Sequence, residues 1–199
     1  MLLYLIVAIL TYIILFYAKK IDNKRILIII SFLLLFLVSA LRVNVGTDYL
    51  SYKEWFDNTH GPSLGYANFL FNNLIFLIKI FTNNSQVFFA VTSFIILSLV
   101  YYTNVKNNKE YDMSLYLFVT LGFYFSTFNG IRQWISIALF MLAYNYSIKK
   151  DYKKYFLLII IASLFHVSAL LLIQFYFIFN VKFTDKIKMY IIGSCLIFF

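Results

Sequence analysis

The sequence contains one cysteine (Cys195), one proline (Pro62) and six glycines in 199 residues. A lone thiol excludes a disulfide framework and a Cys-rich metal centre. A lone proline leaves no Pro-rich linker to divide the chain. Charge is scarce as well, at 13% of residues against roughly 25% in soluble domains. No stretch alternates apolar and polar residues with period two, which removes the strands of an outer-membrane barrel. No internal repeat is visible.

What replaces these is apolar surface: 63% of residues are hydrophobic, and the mean hydropathy is +0.84. The apolar residues fall in nearly uncharged runs of roughly 16 to 23, each long enough to cross ~30 Å of hydrocarbon at about 1.5 Å per residue. Spans are expected at 2–18, 26–41, 86–102, 113–128, 131–148 and 155–177, with two further segments at 66–81 and 188–199. With no barrel pattern, helices are the spanning structure that remains. The expected fold is all-α, a polytopic transmembrane bundle of about seven to eight hydrophobic segments forming one transmembrane domain over 1–199. The first run has no basic leader and no small-residue cleavage site and ends in Lys19-Lys20, so it reads as a retained helix.

The formal net charge of +9 could point to nucleic acid, but the cations sit in short loops between apolar runs. That is the pattern of the positive-inside rule. Lys19, Lys20, Lys24 and Arg25 mark one cytoplasmic loop, Lys106 and Lys109 a second, and Lys149, Lys150, Lys153 and Lys154 a third. Parity leaves one candidate too many between the first two loops. The segment 66–81 is the odd one, because Asn68, Asn72 and Lys79 share a helical face with Asn73 beside them. It reads as an interfacial or re-entrant helix, the alternative being a tilted span.

This topology places 42–65 and the 128–132 break together on the outer face. Lysines number fourteen and arginines three. In a chain so rich in Lys, Asn, Ile, Phe and Tyr, where generic cationic positions have become lysine, a remaining arginine is a position that needs a guanidinium. Arg42 and Arg132 stand at the outer boundary, where positive-inside disfavours them. Their planar forks can bind phosphate bidentately; the bland alternative is snorkelling to headgroups. In the outer loop, Gly46-Thr47-Asp48 suits a turn and helix start, with Thr47 or Asp48 as cap. Tyr49, Tyr52 and Phe56 then share a face with Trp55 beside it, as an interfacial anchor or as a platform for sugars. Asn129-Gly130 interrupts an apolar stretch and Arg132 opens the next helix, a helix N-terminus with an arginine. His166, about 18 Å along a helix from Lys154, falls slightly beyond the midplane. An ionisable group at that depth is either a functional residue or a hydrogen-bonded strut between helices. Without Cys or carboxylate neighbours it does not read as a metal ligand.

The series Arg42, Val45-Gly46-Thr47-Asp48-Tyr49, Tyr52, then Asn129-Gly130-Ile131-Arg132-Gln133, then Phe165-His166-Val167-Ser168-Ala169 resembles the EpsG family of Wzy-type exopolysaccharide and capsule repeat-unit polymerases. The resemblance covers about residues 1–180. An acidic residue expected before the aromatic at Tyr66 is missing, since the stretch reads Gly61-Pro62-Ser63-Leu64-Gly65-Tyr66. Family members usually continue through several more helices, so these residues are expected to match the N-terminal part of a longer fold. The resemblance implies a multi-pass protein of the bacterial plasma membrane. Its substrate would be a polyprenyl-pyrophosphate-linked oligosaccharide, joined into polymer on the outer face in a glycosyltransferase reaction. Its partners would be membrane lipids and other polysaccharide-export proteins, without nucleic acid. Neither a cofactor nor a metal is expected, and no nucleotide-sugar loop is present. In that reaction Arg42 and Arg132 would stabilise pyrophosphate, His166 would serve as general base with Asp48 second, and Tyr49, Tyr52, Asn129 and Gln133 would hold substrate. Two other classes fit the same residues, a transporter or flippase of lipid-linked oligosaccharides and a membrane O-acyltransferase.

Overall fold

The computed structural model describes residues 2–21 and 24–180; the expected segment 188–199 and Cys195 lie outside them. All regular structure among the described residues is helical. Two long helices, α1 (Leu2–Lys20) and α2 (Lys24–Ala40), form a hairpin against α5 (Ser85–Asn107) and α6 (Tyr111–Thr120). Next to α5 packs α8 (Ile131–Ile148), which in turn lies along α9 (Tyr152–Phe165). Small side chains make the last contact close: Ser136, Ala138 and Ala143 of α8 and Ala162 and Ser163 of α9 are all buried, and Ser136 Oγ donates to the Ala162 carbonyl at 2.7 Å. Close backbone approach through small residues is how apolar helices pack where no water drives them together.

At 23 residues, α5 is the one helix among the described residues long and apolar enough on its own to cross a membrane. The outer faces of α1 and α2 are nevertheless apolar and uncovered: Ile9, Ile13, Leu33 and Leu37 are each more than 40% exposed. Inside, Leu35, Phe88, Phe89, Val100, Leu115 and Ile135 form a continuous core.

Two apolar runs that read as single spans are broken. The run 113–128 stops at Thr120, turns through Gly122 at φ +82°, and resumes as the short α7 (Phe123–Ser126). The run 155–177 ends as α-helix at Phe165. His166 is extended (φ −149°, ψ 111°), Val167–Leu172 is a 3₁₀ helix, and α10 (Ile173–Asn180) follows. The chain folds back here. Tyr155, in the first turn of α9, donates its hydroxyl to the Leu172 carbonyl at 2.6 Å and packs on Tyr176. Asn180 reaches Ser147 at the end of α8 at 3.1 Å. Residues 152–180 are thus a helical hairpin with His166 near its apex. Hydrophobicity alone does not reveal either break, because both sides of each are apolar and only dihedrals and neighbouring hydrogen bonds differ.

The bundle has two distinct ends. At the lysine-rich end, Lys19 pairs with Glu110 and Asp112, and the last turns of α5 and α8 meet. At the other end, the 41–48 loop leads into α3 (Tyr49–Asn58), against which α4 (Phe69–Phe81) lies. Phe71 near one end of α4 touches Trp55, and Lys79 near the other donates to the Asp57 carbonyl at 2.8 Å. Both ends of α4 therefore meet the short helix α3, while Phe71, Ile75 and Ile78 of α4 are buried in the core.

Candidate functional site

The loop after α2 is shaped by two left-handed residues, Asn44 (φ 54°) and Gly46 (φ 103°), and is tied down by Gln86, whose side-chain amide donates to the carbonyls of Ala40 and Arg42. Gly46 faces the 128–130 break directly. A Cβ there would stand 2.6 Å from Asn129 Oδ1 and 3.4 Å from Phe128, so the two sequence motifs are packed on one another through the missing side chain.

Arg42 fastens this junction. Its guanidinium lies between the rings of Phe89 and Phe128, at 4.9 and 4.5 Å from their centroids. It donates to the carbonyls of Ser39 (3.5 Å) and Phe128 (3.4 Å). The side chain is buried and its Nε has no partner. Burial lowers its pKa to about 10, which leaves it protonated at neutral pH. Beside it a cavity of about 540 Å³ opens between Tyr4, Leu37, Leu41 and Val45, with Arg42 its charged lining residue. Asn129 Oδ1 is a second buried polar atom without a partner.

Arg132, in the first turn of α8, is half-buried and sits over Trp55 at 4.7 Å and Phe71 at 6.0 Å. Aromatic faces attract a guanidinium without neutralising it. No carboxylate pairs with Arg42 or Arg132 among the described residues. His166 is half-buried at the hairpin apex, on the same side as Arg132, because Ser136, one turn after Arg132, bonds the Ala162 carbonyl one turn before His166. Nearby in chain, Ser163 Oγ and Tyr66 Oη are 3.0 Å apart, which ties α9 to the segment before α4.

The remaining expected residues fall differently. Tyr49 and Tyr52 are 6% and 5% exposed; Tyr49 stacks on Phe89 at 4.5 Å and Tyr52 packs on Phe71. They are wall rather than surface, and Trp55, partly exposed, is the aromatic residue of α3 that meets an arginine. Asp48 occupies the N-cap position of α3 without capping by its side chain, and instead accepts from Thr47 Oγ1 at 3.1 Å. No hydrogen bond or ion pair joins it to Arg42, Arg132 or His166 among the described residues. Gln133 is exposed beside Gly130. Gln86 and the Phe89 and Phe128 rings are partners of Arg42 that sequence reasoning missed.

No curated protein and no solved structure matches this chain. A family model does, over residues 25–199, which takes in the loop after α2, the 128–132 break and the His166 apex together. The chain belongs to the EpsG family, a family of Wzy-type polymerase-like proteins.

Proposed function

We propose that this protein is a multi-pass membrane glycosyltransferase that joins polyprenyl-pyrophosphate-linked oligosaccharide repeat units into exopolysaccharide or capsule. The observation that carries the reading is that Arg42, Arg132 and His166 lie at the same end of the bundle, away from the Lys19–Glu110 end, with no carboxylate paired to either arginine among the described residues. Apolar outward faces on α1 and α2 support embedding in lipid, since patches this wide on a soluble monomer are rare. The lysines of 19–25, 106–109 and 149–154 favour the cytoplasm for their end, which sets the arginines on the outer side.

In this reading the acceptor sugar hydroxyl attacks the anomeric carbon of the donor. The bond from that carbon to the pyrophosphate oxygen breaks through an oxocarbenium-like state, and the polyprenyl pyrophosphate departs. Arg132 meets the developing charge, at a helix N-terminus that adds its own partial charge. Arg42, buried and bonded to two carbonyls, holds the 128–130 segment in place and presents one charge to the cavity beside α1 and α2, where a polyprenyl chain would find apolar walls. His166 takes the hydroxyl proton, Trp55 stacks against sugar, and Asn129 and Gln133 supply hydrogen bonds. Asp48 is the second candidate base.

Arg132→Lys tests the reading, because it keeps a charge but loses the fork. Polymer in the extracted lipid-linked oligosaccharide profile is expected to fall at least tenfold, on the scale of ~1.5–3 kcal/mol for a charged hydrogen bond, with the protein still inserted. Full-length polymer would reduce Arg132 to a headgroup anchor.

A further inference from the structure

Three neighbouring cavities with shared lining residues trace a groove along α5, α6 and α8, from the lysine-rich end towards Trp134 in the first turn of α8. The first, about 440 Å³, is lined by Lys19, Lys24, Lys106 and Lys109 with Tyr111. It shares Asn107 and Asn108 with a second, about 400 Å³, bounded by Tyr144 and Asn145 on α8. That one shares Asn104 and Met141 with a third, about 370 Å³, walled by Leu117, Phe118, Phe123, Trp134 and Ile137.

The order of chemistry along the groove is cationic, then amide, then apolar. We infer that the groove is a binding site for an anionic diacyl phospholipid of the surrounding bilayer, with the phosphate headgroup among the lysines, the ester linkages at the asparagines and the acyl chains in the apolar slot. Glu110 and Asp112 both answer Lys19, while Lys24, Lys106 and Lys109 line the same cavity. Lys106 rests on the Tyr102 ring, which positions it without cancelling its charge. In the middle section Asn104, Asn107 and Asn145 each give one amide hydrogen to the carbonyl four residues back, at 2.8, 3.1 and 3.2 Å. An amide has two such hydrogens, so each keeps one for an ester carbonyl. At the far end Leu117 and Phe123 are 41% and 49% exposed, an open side through which acyl chains enter from the bilayer. Basic pockets between helices on the cytoplasmic side are the recurrent way membrane proteins hold phosphate-bearing headgroups. The inference rests on the membrane embedding proposed above but not on the polymerase chemistry.

The test uses the full chain purified in detergent and titrated, by native mass spectrometry, with phosphatidylglycerol and phosphatidylcholine of matched acyl chains. Alkaline extraction of membranes checks the embedding separately, and the lipid-linked oligosaccharide profile checks the chemistry. Phosphatidylglycerol is expected to bind the tighter. The double variant Lys24→Gln/Lys109→Gln, both exposed positions, should weaken it roughly 30-fold, from about 5-fold per lysine, and leave phosphatidylcholine unchanged. Ile137→Trp, which fills the acyl slot, should weaken both lipids together. Equal affinity for the two lipids, or an unchanged double variant, overturns the site. So does displacement of phosphatidylglycerol by stoichiometric polyprenyl phosphate, which would make the groove a carrier site instead.

Discussion

Replacing Gly46 with alanine asks whether the loop after α2 and the 128–130 break form one unit. A Cβ at Gly46 meets Asn129 Oδ1 at 2.6 Å, inside any real contact, and the backbone has φ +103°. An L side chain at positive φ costs about 1–2 kcal/mol, and forcing an atom into a filled space about 1–3 kcal/mol more. The sum is roughly 2–5 kcal/mol, which for a chain of this size lowers the melting temperature by roughly 4–20 °C. The two terms separate in a double-mutant cycle. Asn129→Ala removes the atom that is struck, and because Oδ1 is buried without a partner, its loss alone costs little. Gly46→Ala in the Asn129→Ala background should therefore keep only the backbone strain and lose less stability than Gly46→Ala in the parent, with a coupling of about 1 kcal/mol or more. The assay is thermal unfolding of the purified protein in lipid nanodiscs. Gly61→Ala, with nothing within 4 Å, is the neutral control. If Gly46→Ala melts with the parent, or the cycle is additive, the two motifs are not packed as described.

His166→Gln keeps hydrogen bonding but cannot take a proton, so turnover should drop by about 10²–10⁴-fold with single repeat units accumulating on the lipid carrier; a normal ladder of chain lengths would leave His166 a strut and bring Asp48 forward. Trp55→Ala removes the ring beneath Arg132 and should shorten polymer through weaker acceptor binding, seen as a raised KM rather than a lowered kcat, whereas unchanged kinetics would return Trp55 to an anchoring role. In a Cys195-free background, a cysteine at Asn180 should resist impermeant thiol reagents on intact cells, as should one at Asp151, because the hairpin returns the chain to Ser147; labelling at 180 with protection at 151 would mean a through-span instead.

Composition and run length by themselves settled the all-helical class, since scarce charge and long apolar runs leave little else for a backbone that must satisfy its own hydrogen bonds. They also located α1, α2, α5 and α8 within a few residues, because each is bounded by lysines, asparagines or glycines that end the run. The pattern of Asn68, Asn72 and Lys79 suggested an interfacial or re-entrant helix, or else a tilted span, over 66–81; the helix itself, α4, begins only at Phe69, after a left-handed Asn68. The arginines and His166 stood out as unusual in type and place. What they touch did not, because cation–ring contacts such as Arg42 between Phe89 and Phe128 join residues 47 and 86 positions apart, and no local period encodes them. The same holds for Tyr49 and Tyr52, whose helical spacing fixed that they share a face but not that the face turns inward onto Phe71 and Phe89. Only the tertiary structure decided the reversal at His166. Residues 155–177 are apolar on both sides of the break, and what turns the chain there is a set of long-range bonds, from Tyr155 to Leu172 and from Asn180 to Ser147, that exist only once α8, α9 and α10 have packed.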